Sequence, residues 1–298
     1  MSFTRTFTGL IQKRLQYIEE VTYGVTPSSA PTFISAGKIK RFNFNIDAQI
    51  NRYRAAGLRK VSDFLNTGQM TSFEIEYQPI NTDLMAYGIN DPVGTGTIAK
   101  SLSFLYSKLL NGTEYYFIIK GAKTDQIQIE VTKEAVNVTQ SFLAREAITP
   151  ISTTNAGLTT PTFATPMTGK PWVGRDGGVD AFVYDGTTWD TPRLSCEIAW
   201  NLDPGQPIGH DLIKFLDPTN KDCNVDFDVW QKDTTFIADL KSENRVDIEY
   251  TLNSASSAVI TITNFGNETY SLEEDADSNE TTTEPSSGGC TDISVAES

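Results

Sequence analysis

The sequence predicts a mainly β protein: two tandem antiparallel β-sandwich or barrel domains, minor helix and a flexible acidic C-terminal tail. Three observations carry this. Period-two alternation of apolar and polar residues recurs along the chain, the apolar runs are short and bounded by turn residues, and one stretch of strand pattern is written twice. The 298 residues suffice for two domains of ordinary size, each with its own core. Apolar residues make up 39% and charged residues 21%, with many Thr, Asn and aromatic side chains, a mix that favours strands and turns over long helices.

The N-terminal 37 residues form an arm, and the first domain spans 38–149. Within it Phe42, Phe44 and Ile46 alternate with Asn43, Asn45 and Asp47, the signature of a half-buried strand. A long polar segment, NRYRAAGLRKVSDFLNTGQM, follows as a loop, and the next strand carries Phe73, Ile75 and Tyr77. Pro79 ends that strand, since proline has no N–H to give a ladder. Residues 98–110, IAKSLSFLYSKLL, fit either a helical stripe or an alternating strand. Asn111-Gly112 before TEYYFIIKG decides for a hairpin. Two more strands centre on Ile127, Ile129 and Val131 and on Val136 and Val138.

Residues 150–190 are dominated by Thr, Pro and Gly and read as a linker or inserted ribbon, with a small hairpin turning at Asp185-Gly186. The second domain, 191–270, then repeats the opening. Leu194, Cys196, Ile198 and Trp200 share one strand face, and further strands hold Val225, Phe227 and Val229, then Val246, Ile248 and Tyr250, then Ile260 and Ile262. Phe44, Ile46, Ile75, Tyr77, Leu84 and Met85 align with Cys196, Ile198, Phe227, Val229, Phe236 and Ile237, each pair 152 positions apart. A constant offset over two strands, a gap and a turn reads as an internal duplication. The second half looks shorter by the first arm of the 102–119 hairpin. Residues 271–298 lack large apolar side chains almost entirely and are expected to be disordered.

The formal net charge is −14, from 24 bases and 38 acids. Eight acids and no Lys or Arg lie in 271–298, so the rest carries 30 acids against 24 bases, a balance of only −6. No basic footprint for sequence-independent DNA binding is visible. No run reaches the roughly 18 apolar residues of a membrane span, and the N-terminus shows no export signal; the chain reads as a soluble protein made in the cytoplasm.

Catalytic material is scarce. His210, the single histidine, lies beside Asp211 in a proline-bracketed loop without a nucleophile elbow. GRDGG at 174–178 has no Lys-Ser/Thr after it and reads as a turn. The run starting at Asp275 imitates a calcium loop but has Glu280 and Ser286 where Gly and Glu are needed. Asn111, Asn137, Asn267 and Asn279 begin N-x-Thr triplets, which matter only where a glycosylation machinery is met. Of three cysteines, Cys196 and Cys223 fall on apolar strand phases and read as buried hydrophobes; Cys290, in the tail, reads as an exposed free thiol. No enzyme, cofactor or metal is expected.

Each half supplies amphipathic strands whose edges need partners, which suits a ring of copies joined side by side; a two-domain sandwich adhesin would show the same periodicity. RLQYIEEVTYGVTPSSAPTFISAGKIKRFNFNI, LRKVSDFLNTGQMTSFEIEYQP, NGTEYYFIIKGAKTDQIQIEV, and SCEIAWNLDP through DFDVWQKDTTFIADL to SAVITITNF resemble, in order and spacing, the tail tube (major tail) proteins of long-tailed bacterial and archaeal viruses. The resemblance covers about residues 12–270. It implies a structural virion protein that stacks as rings into a hollow tail tube delivering DNA into the host. Two tube-like domains per chain imply a pseudo-sixfold trimer, with a hexamer as second choice. The implied partners are other copies, a tape measure, a terminator and a baseplate; DNA passes without specific binding and no membrane is involved. Arg52, Arg54, Arg59 and Lys60 are candidate inter-ring contacts, with a solvated loop as the equal alternative. The rival readings are a hub or tail-completion protein of the same fold and a cell-surface glycan-binding sandwich.

Overall fold

The computed structural model describes residues 14–53, 63–90, 100–110, 113–151, 158–165, 167–174, 182–205, 212–230, 235–253, 258–270 and 283–297. The chain is mainly antiparallel β. In order the strands are β1 (Arg14–Glu19), β2 (Ile34–Ser35), β3 (Lys38–Tyr53), β4 (Asp63–Gln78), β5 (Leu102–Leu110), β6 (Thr113–Thr132), β7 (Val136–Ala144), β8 (Glu146–Ile151), β9 (Val173–Gly174), β10 (Phe182–Tyr184), β11 (Thr187–Trp189), β12 (Arg193–Ala199), β13 (Leu202–Gly205), β14 (Phe215–Pro218), β15 (Asp222–Trp230), β16 (Arg245–Asn253), β17 (Ala258–Tyr270), β18 (Thr283–Gly289) and β19 (Asp292–Glu297). Two short helices, α1 (Ala86–Ile89) and α2 (Thr235–Ser242), follow β4 and β15.

Within the ambiguous run, Leu102–Leu110 is a strand: β5 pairs with β6, Leu110 opposite Thr113. The two runs read separately as TEYYFIIKG and QIQIEV are one strand, β6, which passes from one layer to the other. Gly121, at φ +65°, marks the crossing, where an L side chain would be strained. In the first half, β3, β4, β7 and the C-terminal part of β6 pair in that order. The facing layer is β2, β1, β5, the N-terminal part of β6, and β8. Rings from both layers meet between them, with Phe73 of β4 at 4.9 Å from Phe104 of β5 and stacked at 4.7 Å on Phe142 of β7.

The second half repeats this wiring. β12, β15, β18 and the end of β17 pair in order, facing β11, β10, β16, the start of β17, and β19. The registers coincide as well. Phe44 opposes Phe73 and Phe42 opposes Ile75, while Cys196 opposes Val225 and Leu194 opposes Phe227, all at the 152-residue offset. Bulges recur at matching points: Thr124/Gln126 in β6 corresponds to Asn267/Thr269 in β17, and Leu102/Phe104 in β5 to Val246/Ile248 in β16. The left-handed residue recurs too, Gly121 in β6 and Asn264 (φ +53°) in β17; Asn is among the few non-glycine residues that tolerate it. Leu84 and Phe236, both buried, seat α1 and α2.

Several expectations need correction. The polar segment after Ile50 is not a simple loop: it carries the outer rungs of the β3–β4 hairpin, out to Tyr53 opposite Asp63. The presumed N-terminal arm contributes β1, which pairs with β5. The presumed linker contributes β9 and the β10–β11 hairpin, which does turn at Asp185-Gly186 and pairs with β16. Trp172, from the same stretch, is fully buried. The second half is not missing a hairpin arm, because β16 is the counterpart of β5. The tail is not disordered over 283–297. There β18 and β19 fill the places that β7 and β8 fill in the first half, and backbone pairing to β15 and β17 orders them despite few apolar side chains. Finally, the core is one continuous body, because β6 and β12 pair directly across the junction of the halves.

Two buried polar side chains tie the layers together. Glu20, 5% exposed, accepts from the Gly24 and Gly121 N–H groups at 2.7 and 2.9 Å and from the Ser101 and Ser103 hydroxyls at 2.5 Å each. Gln140, fully buried, accepts from the Tyr77 hydroxyl at 3.1 Å and donates to Thr124 Oγ1 at 2.8 Å.

Candidate functional site

The junction and the free border of the large sheet are the two places where one half meets a neighbour or lacks one. At the junction, Gln126–Thr132 of β6 runs antiparallel to Arg193–Ala199 of β12. Ile127 opposes Ile198, Ile129 opposes Cys196 and Val131 opposes Leu194. All six side chains are at most 1% exposed.

The counterpart of β12 is β3, and among the described residues β3 pairs only with β4. Its outer edge is free. Phe44 and Ile46 stand where Cys196 and Ile198 stand in the junction, yet they are 36% and 44% exposed. Phe42 and Phe44 stack on each other at 5.9 Å, and Phe44 also touches Phe117 at 5.7 Å, which fixes the apolar stripe along the border. Sixteen residues of β3 with an open edge and an apolar stripe are a hazard in a single chain, which natural sheets normally cover or charge.

At the opposite border of the same layer, β17 ends at Tyr270 with β18 on one side. The bulge correspondence makes Thr269 and Tyr270 the equivalents of Gln126 and Ile127, the residues that start the junction on β6. At Thr269 and Tyr270 the β17 border therefore has the phase of the β6 side of the seam, and β3 has the phase of the β12 side.

The outward face of this eight-strand layer is polar and acidic. On the phase away from the core stand Asp47, Glu74, Glu76, Glu130, Glu197, Asp222, Asp226 and Asp228, against Lys38, Lys40, Arg41 and Arg193. Both guanidinium groups are engaged: Arg41 pairs with Glu74 and, at 3.6 Å, with Glu76, and Arg193 reaches Glu130 at 3.5 Å. What remains is a surplus of carboxylate along the face.

Of the candidate inter-ring residues, Arg52 lies in β3, where only the backbone is described. Arg54, Arg59 and Lys60 lie outside the described residues, as do His210 and Asp211. The outer rungs of the β3–β4 arm have their own repeat: Ile50–Asn66, Asn51–Leu65 and Tyr53–Asp63 correspond to Leu202–Pro218, Asp203–Asp217 and Gly205–Phe215 of the β13–β14 hairpin. Sequence reasoning missed the free border itself. The signal was present in the offset, which matches Ile46 to a residue buried at the seam, but only the β6–β12 pairing gives that match a meaning.

Among the described residues no cluster of His, Cys, Asp or Glu is placed to hold a metal ion. No helix there is long and apolar enough to cross a membrane. Burial pushes the Tyr77 hydroxyl well above its ordinary titration range, and burial with the hydrogen bond to Glu19 raises Tyr87 to about 12; these phenols are packing elements held neutral.

No curated protein matches the chain. A family model described as phage tail tube protein matches residues 11–295, a span that includes β18 and the first four residues of β19 and so runs beyond the resemblance legible at residue 270. The chain belongs to the phage tail tube protein family.

Proposed function

We propose that three copies of this chain close a ring in which each free β3 border is covered by the β17 border of the next copy, and that stacked rings form the tail tube of a virion, a conduit for DNA. The observation that carries this reading is the internal seam. The β6–β12 contact shows how one half covers the border of another, and the exposed Phe44 and Ile46 mark the place where the same cover is missing. Carrying the seam over by the two offsets sets the register between copies: Thr269 opposes Asp47 and Tyr270 opposes Ile46. Eight strands per chain give 24 in a three-chain barrel, beyond the 16–18 that already leave an open channel.

The acidic outward face suits a lumen through which DNA phosphates slide, because like charge prevents the counterion-releasing contacts that would hold them. Arg52 in β3, and Arg54, Arg59 and Lys60, which follow it in the sequence, are assigned to contacts with acids of the next ring. Other tail proteins would cap the tube at its ends. The role is structural, placed in the virion tail, and requires no cofactor. Electron microscopy of the purified full chain tests it: stacked rings with a central hole are expected. Isolated particles at every concentration, salt and pH would refute it, and single rings that never stack would favour a hub or completion protein.

A further inference from the structure

We propose that Cys223 and Cys290 form a disulfide when the protein meets an oxidising medium, a covalent latch that fastens the chain's last two strands to the second half. The β15–β18 register sets Asn224 opposite Gly289, so the next rung places Cys223 opposite Cys290. The Cys290 N–H donates to the Cys223 carbonyl at 3.1 Å, one of the two bonds of a hydrogen-bonded antiparallel pair. Such pairs hold their Cα atoms roughly 5.5 Å apart, inside the roughly 4.4–6.8 Å window of a disulfide. Both side chains turn to the same face, and Cys290 packs against the core cluster that includes Cys223. Both are free thiols here; Cys223 is buried and Cys290 half-buried.

The latch has a physical reason that is specific to the second half. In the first half the corresponding rung is Thr71 opposite Ala144. There β7 anchors itself with Val136, Val138, Phe142 and Ala144, all buried. Its counterpart β18 reads TEPSSGG and has no large apolar side chain to hold it down. Gly288 adds constraint without adhesion: a Cβ there would meet the Gly266 carbonyl oxygen at 1.9 Å. The strand with the least packing is therefore the one that ends on a cysteine facing another.

The chemistry is thiol–disulfide exchange with a small disulfide such as oxidised glutathione. Cys223, the thiol of the pair that loses its proton more readily, attacks the reagent, forming a mixed disulfide and releasing one glutathione. Cys290 then loses its proton and attacks Cys223 Sγ, the Cys223–Cys290 bond forms, and the second glutathione leaves. Two protein thiols are oxidised, two electrons reduce the reagent to two thiols, and the protons balance. The hydrogen bond from Cys290 and the nearby Lys221 ammonium hold the Cys223 thiol below its ordinary range against the effect of burial. Burial raises Cys196 instead and leaves it inert.

The test uses the reduced full chain incubated, folded, with oxidised glutathione. Thiol titration in denaturant should then find one of three thiols, and peptide mapping should find Cys223 joined to Cys290. The oxidised protein should melt about 5–15 °C higher than the reduced one. Cys290→Ser should abolish both effects and Cys196→Ser neither. Three retained thiols, a bond that includes Cys196, or bonds only between chains would overturn the proposal. None of these readouts requires a ring, so the result stands apart from the assembly reading.

Discussion

Replacing Ile46 by aspartate should abolish assembly and leave the single chain folded, whereas the same replacement at its counterpart Ile198 should damage the fold. Ile46 is 44% exposed and Phe44 36%. Full burial of such a side chain is worth about 1.5–3 kcal/mol, so covering the remaining surface contributes about 1 kcal/mol for each. Ile46→Asp forfeits its share and adds an unpaired carboxylate inside a sealed seam, a further cost of about 3 kcal/mol. A total near 4 kcal/mol per joint corresponds to about a thousandfold in association. In the free chain the side chain stays in water, so the melting temperature should move by no more than about 2 °C. Ile198 is 1% exposed between Ile127 and Cys223. Its replacement carries the buried-charge cost within the monomer and should lower the melting temperature by about 10 °C or more. Sedimentation velocity and thermal melts on both variants read the contrast. If Ile46→Asp still assembles at the parent's concentrations, or unfolds as readily as Ile198→Asp, the equivalence of border and seam is wrong.

Phe236→Ala should cost about 3–5 kcal/mol in denaturant unfolding, because this fully buried ring touches Tyr184, Trp189 and Phe227 at 4.7, 4.8 and 5.7 Å. Glu20→Gln should destabilise by about 2–3 kcal/mol, since an amide cannot serve four donors as a carboxylate does. Alkali should unfold the chain. Tyr77, Tyr87, Tyr184 and Tyr250 titrate above the ordinary phenol value of 10.0 when folded, so their contribution is whole below that pH and is lost as pH rises through the folded values. The phenolate absorbance of these buried rings should therefore appear together with the loss of the circular dichroism signal above pH 10.

Much of this architecture was legible because its signals are local. Alternation at Phe42–Ile46 and Phe73–Tyr77 found strands, and the Asn-Gly at 111–112 resolved an ambiguous run in favour of a hairpin. The 152-residue offset found the repeat, and the register confirms the matches it gave at Phe44 and Ile46. What stayed hidden depends on distant partners. Strands β18 and β19 carry too few apolar residues to announce themselves, and they are ordered by backbone bonds to β15 and β17. β10 looked like part of a linker because three residues, Phe182 to Tyr184, show no period until β16 lies beside them. The border was missed for the same reason: Ile46 and Ile198 look alike in sequence, and only pairing distinguishes a covered edge from an open one.

The central claim is that one chain brings two ring positions, each bordered like the other. Native mass spectrometry of the assembled ring measures this directly by counting chains. Three chains per closed ring is the predicted result; a closed ring of six would show that the two halves do not substitute for one another around the hole.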